Sequence, residues 1–135
     1  MTPEVAARTI FVDVHNTLLR NGNLNMRLCA QIINFLSEGY SFAIFSDRMS
    51  DDTKVDLIEK LRAASQIDLL NLPMISKHSV KDMMLGGMVD NQPPEREALQ
   101  SLQYWTPQDF AGTRIEKIRK QLAKAWGNKD SGCKL

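Results

Sequence analysis

The feature that most constrains this chain is an alternation of short apolar runs, each closing on a polar residue, with stretches whose apolar residues recur at helical spacing. Residues 9–14 (TIFVDV) form a β-branched and aromatic run that reads as a buried strand carrying Asp13 near its end. Over residues 25–38, Leu28, Cys29, Ile32, Ile33 and Leu36 share one helical face, and Gly39 follows where a C-terminal cap belongs. Residues 41–46 (SFAIFS) repeat the buried-strand pattern, and Ser50 or Asp51 then caps a helix carrying Val55, Leu57, Ile58 and Leu61 inward. Residues 72–76 (LPMIS) predict a third strand, and Pro73, which lacks an amide proton, suits an edge position. Residues 80–85 leave room for about two helical turns, and residues 86–90 (GGMVD) predict a fourth strand whose glycines permit close packing. After Pro93 and Pro94 come a helical stretch over residues 95–103 and a longer helix starting near Pro107, which Thr106 can cap.

Strands separated by helices imply βαβ units, which cross over right-handedly and build a parallel sheet covered on both faces. The expected fold is therefore Rossmann-like: a doubly wound α/β sheet in three α/β/α layers. In such sheets ligands lie beyond the carboxyl ends of the strands, where strand order reverses, so Asp13, His15, Ser46, Asp47 and Asp90 are the first candidates for a site. A chain of 135 residues with 43% hydrophobic residues can bury one core. The pattern places that single domain in residues 1–127, with residues 128–135 as a flexible polar tail. A formal net charge of +1 gives no bias toward a membrane and leaves nucleic acid open as a partner. No run approaches the roughly 20 apolar residues of a membrane span, and the first residues lack the apolar stretch of a signal peptide. Cys29 and Cys133 form neither a disulfide framework nor a ligand cluster, so a reducing cytoplasm is the expected compartment.

The segment over residues 10–19 (IFVDVHNTLL) resembles the first motif of the haloacid dehalogenase-like superfamily: an apolar strand, then Asp, any residue, Asp, any residue, Thr. His15 stands where the second Asp is usual. Ser46, a lysine at 77 or 81, and Asp90 at the head of Asp90-Asn91-Gln92-Pro93 follow in the family's order, so the resemblance spans residues 9–93. It implies a magnesium-dependent phosphohydrolase in which Asp13 attacks a phosphoryl group and forms an aspartyl-phosphate, splitting hydrolysis into two easier steps. Asp13, the backbone carbonyl of His15 and Asp90, with Asn91 beside it, would hold Mg2+ through hard oxygen donors. Ser46 would donate to a phosphate oxygen, with Thr17, Asp47 and Arg48 as further substrate-binding candidates. The lysine would pair with the nucleophile and with charge developing during transfer. Its spacing to Asp90 favours Lys81, while Lys77, directly after the third strand, stays open.

Two departures qualify this resemblance. Asn91 replaces a second acid often present there, and His15 replaces the residue that protonates the leaving oxygen and later activates water. Histidine, with a reference pKa of about 6.5, suits that work, but a nearby cation disfavours imidazolium. Slow hydrolysis, or a preference for good leaving groups, is expected. The rival expectation is a noncatalytic member that binds a phosphorylated or protein partner. Residues 18–25 contain only the tight-hairpin signal Asn21-Gly22, and residues 77–86 are equally short, so no cap domain is expected. An open mouth predicts a large phosphorylated substrate or a second subunit of a homo-oligomer over the site. Ile115, Ile118, Leu122 and Trp126 form a stripe best read as core packing, although the basic residues beside it also suit an anionic partner. Tyr104 and Trp105 fit a helix junction or an interface, and His78 receives no role.

Overall fold

The computed structural model of the protein describes residues 1–127; the tail expected over residues 128–135 lies outside the described residues. The chain opens with a one-turn helix α1 (Pro3–Ala6), capped by Thr2, and enters strand β1 (Thr9–Asp13). A hairpin of β2 (Leu19–Arg20) and β3 (Asn23–Leu24) follows, turning on Asn21 and Gly22 at φ 53° and 78°, the double left-handed turn that Asn-Gly favours. Helix α2 (Met26–Ser37) starts at its Asn25 cap, and β4 (Ser41–Ser46) leads to α3 (Asp51–Ala63), capped by Ser50. The short α4 (Ile67–Leu70) precedes β5 (Met74–Ser76) and a 3-10 turn over Lys77–Val80. Then come β6 (Met84–Leu85), β7 (Gly87–Val89), a second 3-10 turn over Pro94–Glu97, β8 (Gln100–Ser101) and β9 (Tyr104–Trp105). Helices α5 (Pro107–Gly112) and α6 (Ile115–Trp126) close the described chain.

The main sheet has the order β5-β4-β1-β7-β9, and each of its pairings is parallel. The chain works outward from β1 through β4 to β5, returns to the other side of β1 at β7, and continues to β9. This mixed α/β architecture is compatible with a Rossmann-like fold, and the expected edge position of the third strand is met by β5. Alternate strand residues face opposite sides. Ile10, Val12, Phe42, Ile44 and Val89 pack with α2 to α6, while Phe11, Ala43, Phe45 and Met88 pack with Ala6, Val80, Leu85 and Leu99.

The second face differs from the expected full helical layer. It carries only α1, the two 3-10 turns and the β6–β8 ribbon, so the helices predicted over residues 80–85 and 95–103 are absent. Chain length explains the first absence. From the end of β5 to the start of β7, residues 77–86 must run the full height of the sheet back to its amino end. An α-helix over that segment would climb only about 15 Å and leave nothing for the turns at either end. A tight turn followed by extended chain covers the distance, and the same solution carries residues 90–103 back to β9. Tyr104 and Trp105 are thus a fifth strand rather than a helix junction, and Trp105 is buried with its indole N–H donating to Gln121 Oε1 at 2.8 Å.

The helix expected from Pro107 breaks at Thr113, which is extended. Gln31, buried in α2, donates to the Phe110 and Thr113 carbonyls at 3.1 and 2.8 Å and satisfies groups freed by the break. In α6, Ile118, Leu122 and Trp126 are buried and the Trp126 indole N–H donates to the Gly86 carbonyl at 3.0 Å, so the stripe is core. Val55 departs from its expected inward position: it is 54% exposed, whereas Leu57 and Leu61 hold the inner face of α3. No helix among the described residues is long and apolar enough to cross a membrane.

Gly86 marks a close backbone approach. A Cβ placed there would lie 2.7 Å from the Ala7 carbonyl oxygen and 2.9 Å from that of Thr9, both main-chain atoms with little freedom to move. Gly86→Ala is therefore expected to cost about 1–3 kcal/mol in equilibrium denaturation. A variant as stable as the native protein would contradict this packing.

Candidate active site

The strand order reverses between β1 and β7, and adjacent crossovers leave opposite faces of the sheet at that point. Four polar residues end or follow four neighbouring strands there: Asp13 ends β1, Ser46 ends β4, Lys77 follows β5, and Asp90 follows β7. The parallel register aligns the carboxyl ends of their strands, so residues far apart in sequence converge.

Lys77 is the centre of the group. Its ammonium lies 3.2 Å from Asp13 Oδ1, 2.8 Å from Asp90 Oδ2 and 3.6 Å from Asp47 Oδ1, and it also donates to Glu97 Oε1. The Lys77 side chain is 7% exposed and its ammonium stands 5.1 Å from the centroid of the Phe45 ring. The carboxylates are held in turn. Thr17, fully buried, donates its hydroxyl to Asp13 Oδ2 at 3.2 Å, and the Gln92 amide donates to Asp90 Oδ1 at 3.0 Å. Tyr104 donates its hydroxyl to the Asp90 carbonyl at 2.9 Å.

Asp13 and Lys77 open on a cleft of about 360 Å³ that His15, Ser46, Arg48 and Asn91 also help to line, whereas Asp90 and Thr17 have no exposed surface and are not among its walls. Burial pushes the Asp13 carboxyl up from 3.8 to about 7, the charge of Asp90 adds to that rise, and Lys77 and Thr17 oppose it. Burial likewise raises Asp90, against the hydrogen bond from Lys77. Burial opposes the Lys77 charge, but hydrogen bonds to Asp90 and Glu97 and the charge of Asp13 outweigh it, so this ammonium stays protonated well above the usual lysine range. Four carboxylates facing one lysine leave the cluster short of positive charge.

Most of the predicted residues meet here, with two corrections. Lys81 is exposed and absent from the walls of this cleft, so Lys77 is the lysine beside Asp13. The 3-10 turn directs Lys77 inward and sends position 81 to the surface. Thr17 has no exposed surface for a substrate, and instead fixes the Asp13 carboxylate. Ser46 is 3% exposed, and its hydroxyl has no hydrogen-bond partner among the described residues. His15, Asp47, Arg48 and Asn91 stand at the mouth, all exposed. Sequence reasoning missed Glu97. It enters from the second 3-10 turn, and no spacing rule links position 97 to position 77; the only local signal is Pro93-Pro94, which marks a turn beside the last motif.

Among the described residues, no three His, Cys, Asp or Glu side chains group as a ready-made metal cage. Magnesium is commonly held through one or two carboxylates with water completing its shell. Asp13 and Asp90, both buried and both in contact with one ammonium, are oxygen donors that suit that mode. The His15 carbonyl, which accepts no hydrogen bond from the described residues, is a third. In comparisons with protein-family models, curated proteins and solved structures, nothing matched this chain.

The raised Asp13 carboxyl has a signed consequence. The folded state holds this proton more tightly than the unfolded chain, so its stabilisation is complete below about pH 4 and lost as pH rises through about 7. Asp13→Asn, which cannot ionise, is expected to raise Tm by several degrees near pH ~8 and by clearly less near pH ~5. Calorimetry at the two pH values measures this, and a lower Tm for the variant at the higher pH would contradict it.

Proposed function

We propose that the protein is a capless phosphohydrolase of the haloacid dehalogenase-like type, with Asp13 as its nucleophile. The observation that carries this reading is the contact of one buried lysine, Lys77, with both Asp13 and Asp90 at the switch point of a parallel sheet. A carboxylate aimed into a cleft, a free serine hydroxyl beside it and a fixed ammonium are what phosphoryl transfer to an aspartate requires. The donor set favours Mg2+, held by Asp13, Asp90 and the His15 carbonyl; when bound, it supplies charge neutralisation between nucleophile and phosphate.

The chain's own residues account for the remaining chemistry. Thr17 holds Asp13 Oδ2, leaving Oδ1, the atom nearest Lys77, to attack phosphorus. As the Asp13–phosphorus bond forms, the bond to the leaving oxygen breaks. Ser46 donates to a phosphoryl oxygen, and Lys77 stabilises charge on the transferring group. Water then attacks the phosphorus of the aspartyl-phosphate, the P–O bond to Asp13 breaks, and the carboxylate is regenerated. His15, at the cleft mouth, is the group placed to give a proton to the leaving oxygen and to take one from water. No described residue hydrogen-bonds its imidazole, so neither its tautomer nor its orientation is fixed, and the rate is expected to be low.

The cleft has no cap among the described residues. The β2–β3 hairpin and the 3-10 turn over Lys77–Val80 fill the two usual insertion points. An open site suits a phosphorylated macromolecule or closure by a second copy of the chain. The unoriented His15 and the missing acid at Asn91 also favour a second reading, a module that binds a phosphorylated partner without turnover.

Phosphate release from an activated aryl phosphate with Mg2+ tests the choice. Asp13→Asn should abolish turnover, Lys77→Met should lower kcat about a hundredfold or more, and His15→Asp should raise it. Folded native and His15→Asp proteins that both release no phosphate would end the hydrolase reading and leave the binding module.

A further inference from the structure

Lys81, displaced from the reactive cleft, lines a second and smaller pocket of about 150 Å³ with His78 and Leu99. Three walls of this pocket, Asp47, Lys77 and Glu97, are also walls of the reactive cleft, so the cavities adjoin across the Lys77–Glu97 ion pair. A phosphoryl group held by the Lys77 ammonium would therefore border the second pocket.

The charges on the two sides are unevenly satisfied. Lys77 contacts four carboxylates, whereas the side chains of Lys81 and His78 make no ion pair or hydrogen bond with any described residue. Lys81 shares a pocket with Asp47 and Glu97 yet pairs with neither, because both are drawn to Lys77. An ammonium left without a carboxylate beside one that has four remains available to an anion from outside. Leu99, 5% exposed, adds an apolar wall beside them. Lys81 and His78 are both exposed, so the pocket opens to solvent.

We infer that this pocket is a subsite for a compact anionic group, a second phosphate or a carboxylate, on the leaving portion of the substrate, with Lys81 and His78 as the residues that recognise it. The inference rests on the phosphohydrolase reading and sharpens it: the substrate class is a phosphomonoester whose leaving group is itself anionic. It also assigns the two residues of this segment that the reaction does not use.

The test compares three esters of one length in the presence of Mg2+: propyl phosphate, the phosphate ester of hydroxypropionate, and propanediol bisphosphate. The native protein should turn over at least one of the two anionic esters with kcat/KM about tenfold above propyl phosphate, the better one identifying the group as carboxylate or phosphate. Lys81→Met, which keeps the aliphatic stem at an exposed position, should bring that ratio close to one, and His78→Gln should lower it partway. Circular dichroism checks that both variants fold. Equal kcat/KM for the three esters, with turnover intact, would overturn the subsite and leave the hydrolase standing. A preference that survives in Lys81→Met would overturn the assignment to Lys81. No turnover of the three esters by native protein that still cleaves the activated aryl phosphate would overturn the subsite alone, whereas no turnover of either kind would remove the hydrolase reading and the subsite with it.

Discussion

The ion cluster around Lys77 is the interaction on which the rest of the site depends. Two buried carboxylates, Asp13 and Asp90, sit at adjacent strand ends, where neither burial nor mutual repulsion favours charge. One ammonium between them, with Glu97 and Asp47 as further contacts, makes that arrangement tolerable, although Asp13 still titrates near 7. Removing one partner from such a cluster is costly because the other charges stay buried. A fold that keeps unfavourable charges together spends stability in a place where a charged ligand can relieve it, which is how reactive sites commonly differ from cores.

The sheet explains why these groups meet. Parallel strands bring their carboxyl ends to one edge, and the reversal at β1 and β7 opens a gap there because consecutive crossovers go to opposite faces. The second face is thin because residues 77–86 are too few for a helix with a turn at either end, while residues 90–103 return through a 3-10 turn and extended chain. Those same segments, tightened into 3-10 turns, are what point Lys77 and Glu97 into the cleft. The reduced layer and the site geometry thus have one cause.

Much of this was legible in the sequence, and the parts that were not have physical reasons. The strands that end at or just before Asp13, Ser46 and Asp90 announce themselves because fully buried parallel strands are continuous apolar runs, and the Ser50 and Thr106 caps mark two helix starts. Spacing to Asp90 favours Lys81 where the structure has Lys77, because the choice depends on whether the chain after β5 coils as an α-helix or a 3-10 turn, and sheet height decides that. Strand β9 is two residues long and carries no period, so Tyr104 and Trp105 look like packing aromatics until a neighbour pairs with them. Glu97 owes its place to a contact across the fold, with the left-handed Ala98 ending its turn, and no local pattern encodes that.

As the proposed nucleophile, Asp13 would become phosphorylated during turnover. The most direct measurement is mass spectrometry of the native protein, quenched in acid during turnover of an aryl phosphate with Mg2+ and digested. A phosphoryl adduct is expected on the peptide containing Asp13, removed by hydroxylamine as an acyl phosphate should be and absent from Asp13→Asn. Phosphate release without an adduct on that peptide, or an adduct on another residue, would contradict it.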